Sequence, residues 1–423
     1  MLETDLRSRK SCELLAPAGN FEKLKTAFMY GADAAYLGGT SFGLRAAAGN
    51  FTDEEIKEAV DLANGEGKKI YVTLNILPRT SELDELARYA EKLAKMGVHG
   101  AIISDIGAFM TVRKAAPDLP IHVSTQANNL NAATVRFWLE NGAERVNLAR
   151  ELTVREIKEI DRDLKDIPHE LEAFVHGAMC MSYSGRCMLS DYLAGRSSNR
   201  GDCAQPCRWK YFLSEEKRPG EYMPVEESKE GTFIFNSKDL CMIEHIPELI
   251  DAGITSLKIE GRMKSEFYIA VTVRAYRIAL DEYFRDPEGY SKNKELLKEL
   301  MGELESVSHR EYSTGFYFGD RGSQIYGSSS YLRSCDFMGT VRSCEKSDDG
   351  SYDCVIIQRG NFKAGDVLEF VPPKGKMLSW QAAGMKNSEG EDIEAAPHAM
   401  MEVYVKLPEH MPEGTIVRRR KTR

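Results

Sequence analysis

The chain has 423 residues, a net charge of −9, 42% hydrophobic residues and 29% charged residues. That is an ordinary globular composition, long enough for one large domain and a smaller one. It excludes a membrane span, which needs roughly 18 consecutive apolar residues, and broad phosphate-driven nucleic-acid binding, which the negative charge opposes.

The N-terminal MLETDLRSRKSCELL lacks the apolar core of a signal peptide. The expected location is therefore cytoplasmic, where thiols stay reduced. Short apolar runs follow at Glu13–Ala16, Ala34–Leu37, Ile70–Leu74, Ala101–Ser104, Ile121–Ser124, Arg145–Leu148, Leu171–Val175 and Leu257–Glu260. They read as buried parallel strands. Helical patterns lie between them at Phe21–Tyr30, Thr52–Asn64, Leu83–Met96, Ala132–Asn141 and Thr153–Leu164. Several end at a glycine suited to a left-handed cap: Gly31, Gly97, Gly142 and Gly253. Eight such units predict an α/β fold, a TIM-like (β/α)8 barrel over residues 1–310. An open doubly wound sheet is the alternative, weakened by the lack of a GxGxxG turn after the first strand.

About 80 residues separate the seventh strand from the eighth, far above the usual connection. This gap defines an insertion at 177–240. Helices at Phe267–Tyr283 and Lys292–Leu304 follow the barrel. Residues 325–423 then change to short alternating strands with Gly, Asp, Asn and Pro turns, which predict a small C-terminal antiparallel β-barrel domain. The run from Arg418 to Arg423 reads either as a solvated tail or as a basic surface.

Five of the nine cysteines crowd into one stretch: Cys180, Cys187, Cys203, Cys207 and Cys241. The gaps between them hold six, fifteen, three and thirty-three residues, so no CxxC pair occurs. In a reducing compartment the clustering points to a metal or redox centre rather than disulfides. Dispersed thiolates suit an iron–sulfur cluster better than a zinc ribbon. Cys180 follows strand seven, at the end where (β/α)8 barrels keep their active sites. Polar residues at the strand ends include Asn75, Gln126, Arg150, His176, Glu260, Arg262 and Lys264, with Arg45 in the loop after strand two. Singly, each reads most simply as a cap or a surface pair. Together they suggest a pocket for a small anion, because arginine binds carboxylates through a bidentate fork. His176, Arg45 and Glu260 are the candidates for catalytic roles. Arg150, Arg262, Lys264, Asn75 and Gln126 are the candidates for substrate binding. There is no HExxH, GxSxG or Walker motif to support protease or nucleotidase chemistry.

Four segments carry a resemblance: ELLAPAGN at Glu13–Asn20, ADAAYLGGTSFGLRA at Ala32–Ala46, FVHGAMCMSYSGRCMLS at Phe174–Ser190 and LKIEGRMK at Leu257–Lys264. With Asn50-Phe51 they resemble the peptidase U-32 family over essentially the whole chain. Arg218–Met223 and the C-terminal Asn361-Phe362 with Gly365-Asp366 are similar to the branch that hydroxylates wobble uridine of tRNA to 5-hydroxyuridine, using prephenate. The resemblance implies a 4Fe-4S cluster, prephenate as co-substrate, tRNA as macromolecular partner and assembly with a second copy or a paralogue. Sister branches act on 23S rRNA cytidine or on ubiquinone precursors, and the family name implies a collagenase-like peptidase as the other reading. One relative's ligand set matches Cys180, Cys187, Cys203 and Cys241. Another uses a pair like Cys203 and Cys207.

Overall fold

A computed structural model of the chain describes residues 12–43, 50–180, 182–200, 202–209, 213–214, 222–223, 237–319 and 332–421. Eight parallel strands close into a barrel: Glu13–Pro17, Ala34–Leu37, Lys69–Leu74, Gly100–Ile103, Ile121–Val123, Arg145–Asn147, Glu170–Ala178 and Ile254–Ile259. Neighbours in this order pair in parallel, and the eighth strand pairs with both the seventh and the first. The TIM-like fold expected from the sequence is the fold found, together with an antiparallel C-terminal sheet. No described helix is long and apolar enough to cross a membrane.

Local signals set the helices. Thr52 and Thr153 open capping boxes with Glu55 and Glu156, each side chain satisfying the other residue's backbone N–H. Gly97 closes the Leu83–Met96 helix in the left-handed conformation that glycine adopts without strain. Helix Ile106–Ala115 was not among the expected elements. Its sequence IGAFMTVRKA alternates poorly, and its N-cap is Asp105, which accepts from Ala108 N at 2.8 Å. Helix Glu266–Arg285 completes the outer layer, and thirteen of its residues are buried.

The outer faces of the strands build the main apolar core against these helices. The barrel interior is different. Leu15, Ala34, Tyr36, Tyr71 and Ile102 form a small apolar cluster there. Below and beside it run charges. Arg145 binds Glu13 and Glu170, and Lys258 Nζ donates to Glu172 Oε1 at 2.7 Å. Asn147 Nδ2 also donates to Glu172, at 2.7 Å. Burial alone would raise the Glu172 carboxyl, but Lys258 and Arg145 hold it below the usual carboxylate range.

The C-terminal sheet has six antiparallel strands, in the spatial order Leu378–Gln381, Val367–Val371, Ile416–Arg420, Cys335–Lys346, Tyr352–Gln358 and Glu402–Leu407. It wraps its own apolar core as a half-barrel. A disulfide joins Cys344 and Cys354 across the strand pair. Within the basic C-terminal run, Arg418, Arg419 and Arg420 end an interior strand of this sheet, while Thr422 and Arg423 lie outside the described residues. Arg418 is fully buried, its guanidinium bound to Glu303 of the preceding helix and to Glu369. Arg419 pairs with Asp366, Arg420 with Glu369 and Lys421 with Asp336. The Arg418–Glu303 pair ties the sheet to the helix that precedes it, and the other pairs stay within the sheet domain. Tyr30 adds a second tie by donating to Val371 O at 2.7 Å and accepting from Ile416 N at 3.0 Å.

Candidate active site at the barrel mouth

Three of the sequence segments that carry the family resemblance, with Asn50, meet at one residue, Arg262, which follows the eighth barrel strand. Its Nη1 donates to Thr73 Oγ1 at 3.3 Å and its Nη2 to Asn50 Oδ1 at 3.2 Å. Gly38 gives the guanidinium room, since a Cβ there would lie 2.4 Å from Nη2. Gly19 does the same for the Arg262 backbone, where a Cβ would meet its carbonyl oxygen at 2.2 Å. Elements from strands one, two, three and eight thus form a bed for one buried cation at the C-terminal mouth.

Neighbouring strand ends add polar groups. Tyr36 Oη donates to Glu260 Oε2 at 3.1 Å. Asn75 Nδ2 donates to Gln126 Oε1 at 2.6 Å, and Ser124 Oγ donates to the same oxygen at 3.3 Å. Arg150 projects from the end of strand six over the Phe174 ring, at 5.2 Å. It donates to Ala178 O at 3.0 Å and to Ser184 Oγ at 2.7 Å. Ser184 lies between Cys180 and Cys187, so Arg150 ties the cysteine segment to the mouth. Arg200 ties it a second time, through Glu82 and Leu77 O. Gly185 packs against the Gln126 side chain, where its left-handed φ of 75° and the lack of a Cβ allow the approach. Residues 182–200 therefore lie across the C-terminal end of the barrel.

The cysteines divide into two groups. Cys180 and Cys203 are exposed and Cys187 and Cys207 are half-buried; Cys187 lies within the segment over the mouth, and the other three flank it in sequence. Soft, accessible thiols outside any disulfide are a donor set that suits an iron–sulfur cluster. Among the described residues no three Cys, His, Asp or Glu side chains converge on one point. Cys241 stands apart. It lies on a short strand, Asp239–Cys241, that runs antiparallel to strand seven and pairs Cys241 with His176. Burial pushes its thiol up to about 12, and its Sγ lies 4.0 Å from Tyr276 Oη.

His176 faces the helical layer rather than the mouth. It sits among the rings of Tyr268, Tyr276 and Tyr312, with centroids 5.9, 5.5 and 5.3 Å away. Its Nδ1 is 3.5 Å from Tyr276 Oη, and its buried Nε2 meets no described hydrogen-bond partner. Burial lowers its pKa to about 3, with His309 and Lys264 lowering it further against the opposing pull of Asp239. Lys264 also points away, donating to Ser308 O at 2.9 Å. Arg45 lies outside the described residues. The structure thus gathers Arg262, Glu260, Asn75, Gln126 and Arg150 at the mouth and places His176 and Lys264 behind it.

Sequence reasoning missed Lys258, Glu172 and Tyr36. Each occupies an inward-facing position within a strand, and the two-residue alternation of LKIE and ELEAF could have shown it. The pairing of Cys241 with His176 was also missed. A thiol protease needs thiolate and imidazolium forms. Here burial drives both groups the opposite way. One consequence is measurable. Below about pH 6.5 the unfolded chain takes up a proton at His176 that the folded chain refuses until about pH 3. Stability should fall as pH drops through that window. Urea titrations at neutral and mildly acid pH should show a smaller loss for His176→Phe than for the parent chain.

A barrel with a cysteine-bearing segment across its catalytic end, followed by a β-sheet domain, defines a recognised class. The chain belongs to peptidase family U32: residues 19–326 match the family model, and residues 333–418 match the model of the family's C-terminal domain. It is 41% identical over 414 residues to tRNA hydroxylation protein P1 of Bacillus subtilis, spanning 97% of this chain and 96% of that one. It is 36% identical over 442 residues to tRNA hydroxylation protein P of Escherichia coli, spanning 94% of each. A collagenase of Porphyromonas gingivalis is 32% identical over 318 residues, 73% of this chain and 74% of that one. A solved U32 peptidase aligns over 62% of this chain and 96% of its own length, with 16% identity and a TM-score of 0.39.

Proposed function

We propose that this chain is a tRNA hydroxylase that converts wobble uridine to 5-hydroxyuridine, with prephenate as co-substrate. The observation that carries the reading is the near full-length likeness to two tRNA hydroxylation proteins, spanning both the barrel and the C-terminal sheet. The mouth supplies compatible chemistry. Arg262 and Arg150 offer fixed cationic forks to a small dicarboxylate. Asn75 and Gln126 offer amide groups of the kind that read a nucleobase edge. A wobble base is already unpaired in its loop and costs little to turn out into a pocket.

Cys180, Cys187 and Cys203 would hold a 4Fe-4S cluster, with Cys207 or Cys241 as the fourth ligand. A cluster supplies the one-electron chemistry that hydroxylation of an sp2 uracil carbon requires and that side chains lack. Arg150 keeps the Cys180–Cys187 loop against the barrel through Ser184.

The decisive assay is nucleoside mass spectrometry of tRNA from a deletion strain. Derivatives of 5-hydroxyuridine should disappear and return when the chain is restored. Unchanged tRNA in a strain without a paralogue, or a loss confined to an rRNA cytidine modification, would reject the reading. Anaerobically purified protein should be brown, and Cys180→Ser, Cys187→Ser and Cys203→Ser should each bleach it. A colourless parent protein holding one zinc would reject the cluster.

A further inference from the structure

Helix Ile106–Ala115 lacks a clean apolar stripe because it is apolar on two faces. Ala108, Phe109 and Val112 are buried against the barrel. Ile106 and Met110, one turn apart on the outside, are 54% and 57% exposed. On the next helix, Ala132–Glu140, Phe137 is 46% exposed, and Leu130 just before that helix is also in solvent. These side chains border one groove. Phe109 packs edge-on against Trp138 at 5.2 Å, and a Cβ at Gly142 would lie 2.8 Å from Arg113 Nε, so these residues mark the flank on which each helix meets the other. At about 100° per residue, Ile106 and Met110 stand on the solvent side of that flank, and so does Phe137. Arg136, on the opposite flank of its helix, holds Asp163 O and the Asp166 carboxylate instead. The same two contacts fix the levels. Phe137 falls between Ile106 and Met110, and Lys114 falls between Glu140 and Glu144. Positions 106–112 and 129–135 contain no charged residue. Isolated apolar side chains on a surface need no explanation, but a contiguous group marks a contact site. Charges enter at the end of the groove far from the mouth, and there its two sides differ in sign. Helix Ile106–Ala115 ends in Arg113 and exposed Lys114 and holds no acid; exposed Asp118 follows past Pro117 and pairs with neither among the described residues. The other helix ends in exposed Glu140, with exposed Glu144 beyond it. Arg136 lies 3.9 Å from Glu140 but is already held by Asp166 at 2.6 Å.

We propose that this groove is the interface of a homodimer, whose two-fold axis runs along the groove and seats helix Ile106–Ala115 of one copy on helix Ala132–Glu140 of the other. That axis is the one that fits the charges. It keeps equal levels together, so Phe137 of one copy meets Ile106 and Met110 of the other, and Lys114 meets Glu140 and Glu144. An axis across the groove would lay Lys114 on Ile106 instead. Each contact is made twice, as a self-complementary interface requires. An apolar centre with opposite charges at its rim is the usual build of such a surface. A phosphate backbone or an anionic lipid surface would find no cation over the apolar turns and would meet a chain of net charge −9. Because the groove runs down the barrel side from the mouth, both mouths open on the same face of the dimer. The inference goes beyond the tRNA reading and does not rest on it.

The test is sedimentation velocity of the purified full chain alone, which should show a dimer that dissociates on dilution. Met110→Asp should raise the dissociation constant about a hundredfold or more, because it sets a charge against an apolar partner, and Phe137→Ala should raise it about thirtyfold. Both side chains are exposed in the single copy, so far-ultraviolet circular dichroism should not change. Lys114→Glu should weaken the dimer about tenfold by placing like charges together, and adding Glu140→Lys with Glu144→Lys should restore it. Three results would overturn the interface: a parent chain that stays monomeric at every concentration, a dimer that Met110→Asp and Phe137→Ala leave intact, or a charge exchange that fails to restore what Lys114→Glu lost.

Discussion

Replacing Lys258 with methionine should destabilise the chain by about 3–5 kcal/mol, because it strands Glu172 inside the barrel. Glu172 is 2% exposed, and Lys258 is its shortest cationic contact, at 2.7 Å. Arg145 Nη1 lies farther off, at 3.5 Å, and is shared with Glu13. For a chain of this size the loss corresponds to a fall in melting temperature of roughly 5 °C. The variant should regain stability as the pH is lowered, since a protonated Glu172 no longer leaves a bare charge in the interior. The double variant Lys258→Met with Glu172→Leu should recover most of the loss at neutral pH, as apolar replacements of whole buried pairs do. Thermal melts of the three proteins at two pH values decide the matter. A Lys258→Met protein as stable as the parent would show that the interior pair holds nothing up.

The second large effect concerns activity rather than stability. Gly38→Ala should reduce tRNA hydroxylation about a hundredfold, the usual scale for a reacting group displaced by about an ångström. The added methyl would lie 2.4 Å from Arg262 Nη2, and the guanidinium is the flexible end that must give way. Its hydrogen bonds to Thr73 and Asn50 go with it. The fold should survive, with a melting temperature close to the parent's. Gly19→Ala is the contrasting case. Its methyl would strike the Arg262 carbonyl oxygen at 2.2 Å, where only backbone can move, so the melting temperature itself should drop. A Gly38→Ala protein with full turnover would remove Arg262 from the site.

The barrel was legible because parallel strands and their helices differ so sharply in hydrophobic period. IYVTL and RVNL could hardly be anything but buried strands, and TDEEI announced its own cap. What failed to show was whatever lacked a period. Helix Ile106–Ala115 has no clean apolar stripe, and the edge strand Leu378–Gln381, LSWQ, has too few residues to reveal alternation. Strand Asp239–Cys241 is only three residues long and is held by its partner rather than by its own sequence. The basic run at Arg418 misled for another reason. Charge suggests solvent, and only tertiary structure brings Glu303 and Glu369 to it. At the site, polar residues at strand ends were visible as a set, but the direction of each was not. A bulge in the pairing of strands seven and eight, between Lys258 and Ile259, accompanies the placement of His176 against the helical layer.

The bed of Arg262 has a consequence for recombination. Its parts come from positions 19, 38, 50 and 73 at one end of the barrel sequence and from position 262 at the other. A crossover between two diverged relatives at any point from 74 to 261 would take the arginine from one parent and its socket from the other. Such hybrids would be viable only where both parents had kept the same fit. Exchanges of the C-terminal sheet face no such constraint at the mouth, but they must carry the acid at 303 with the arginine at 418. Within this architecture the barrel should be inherited as one block.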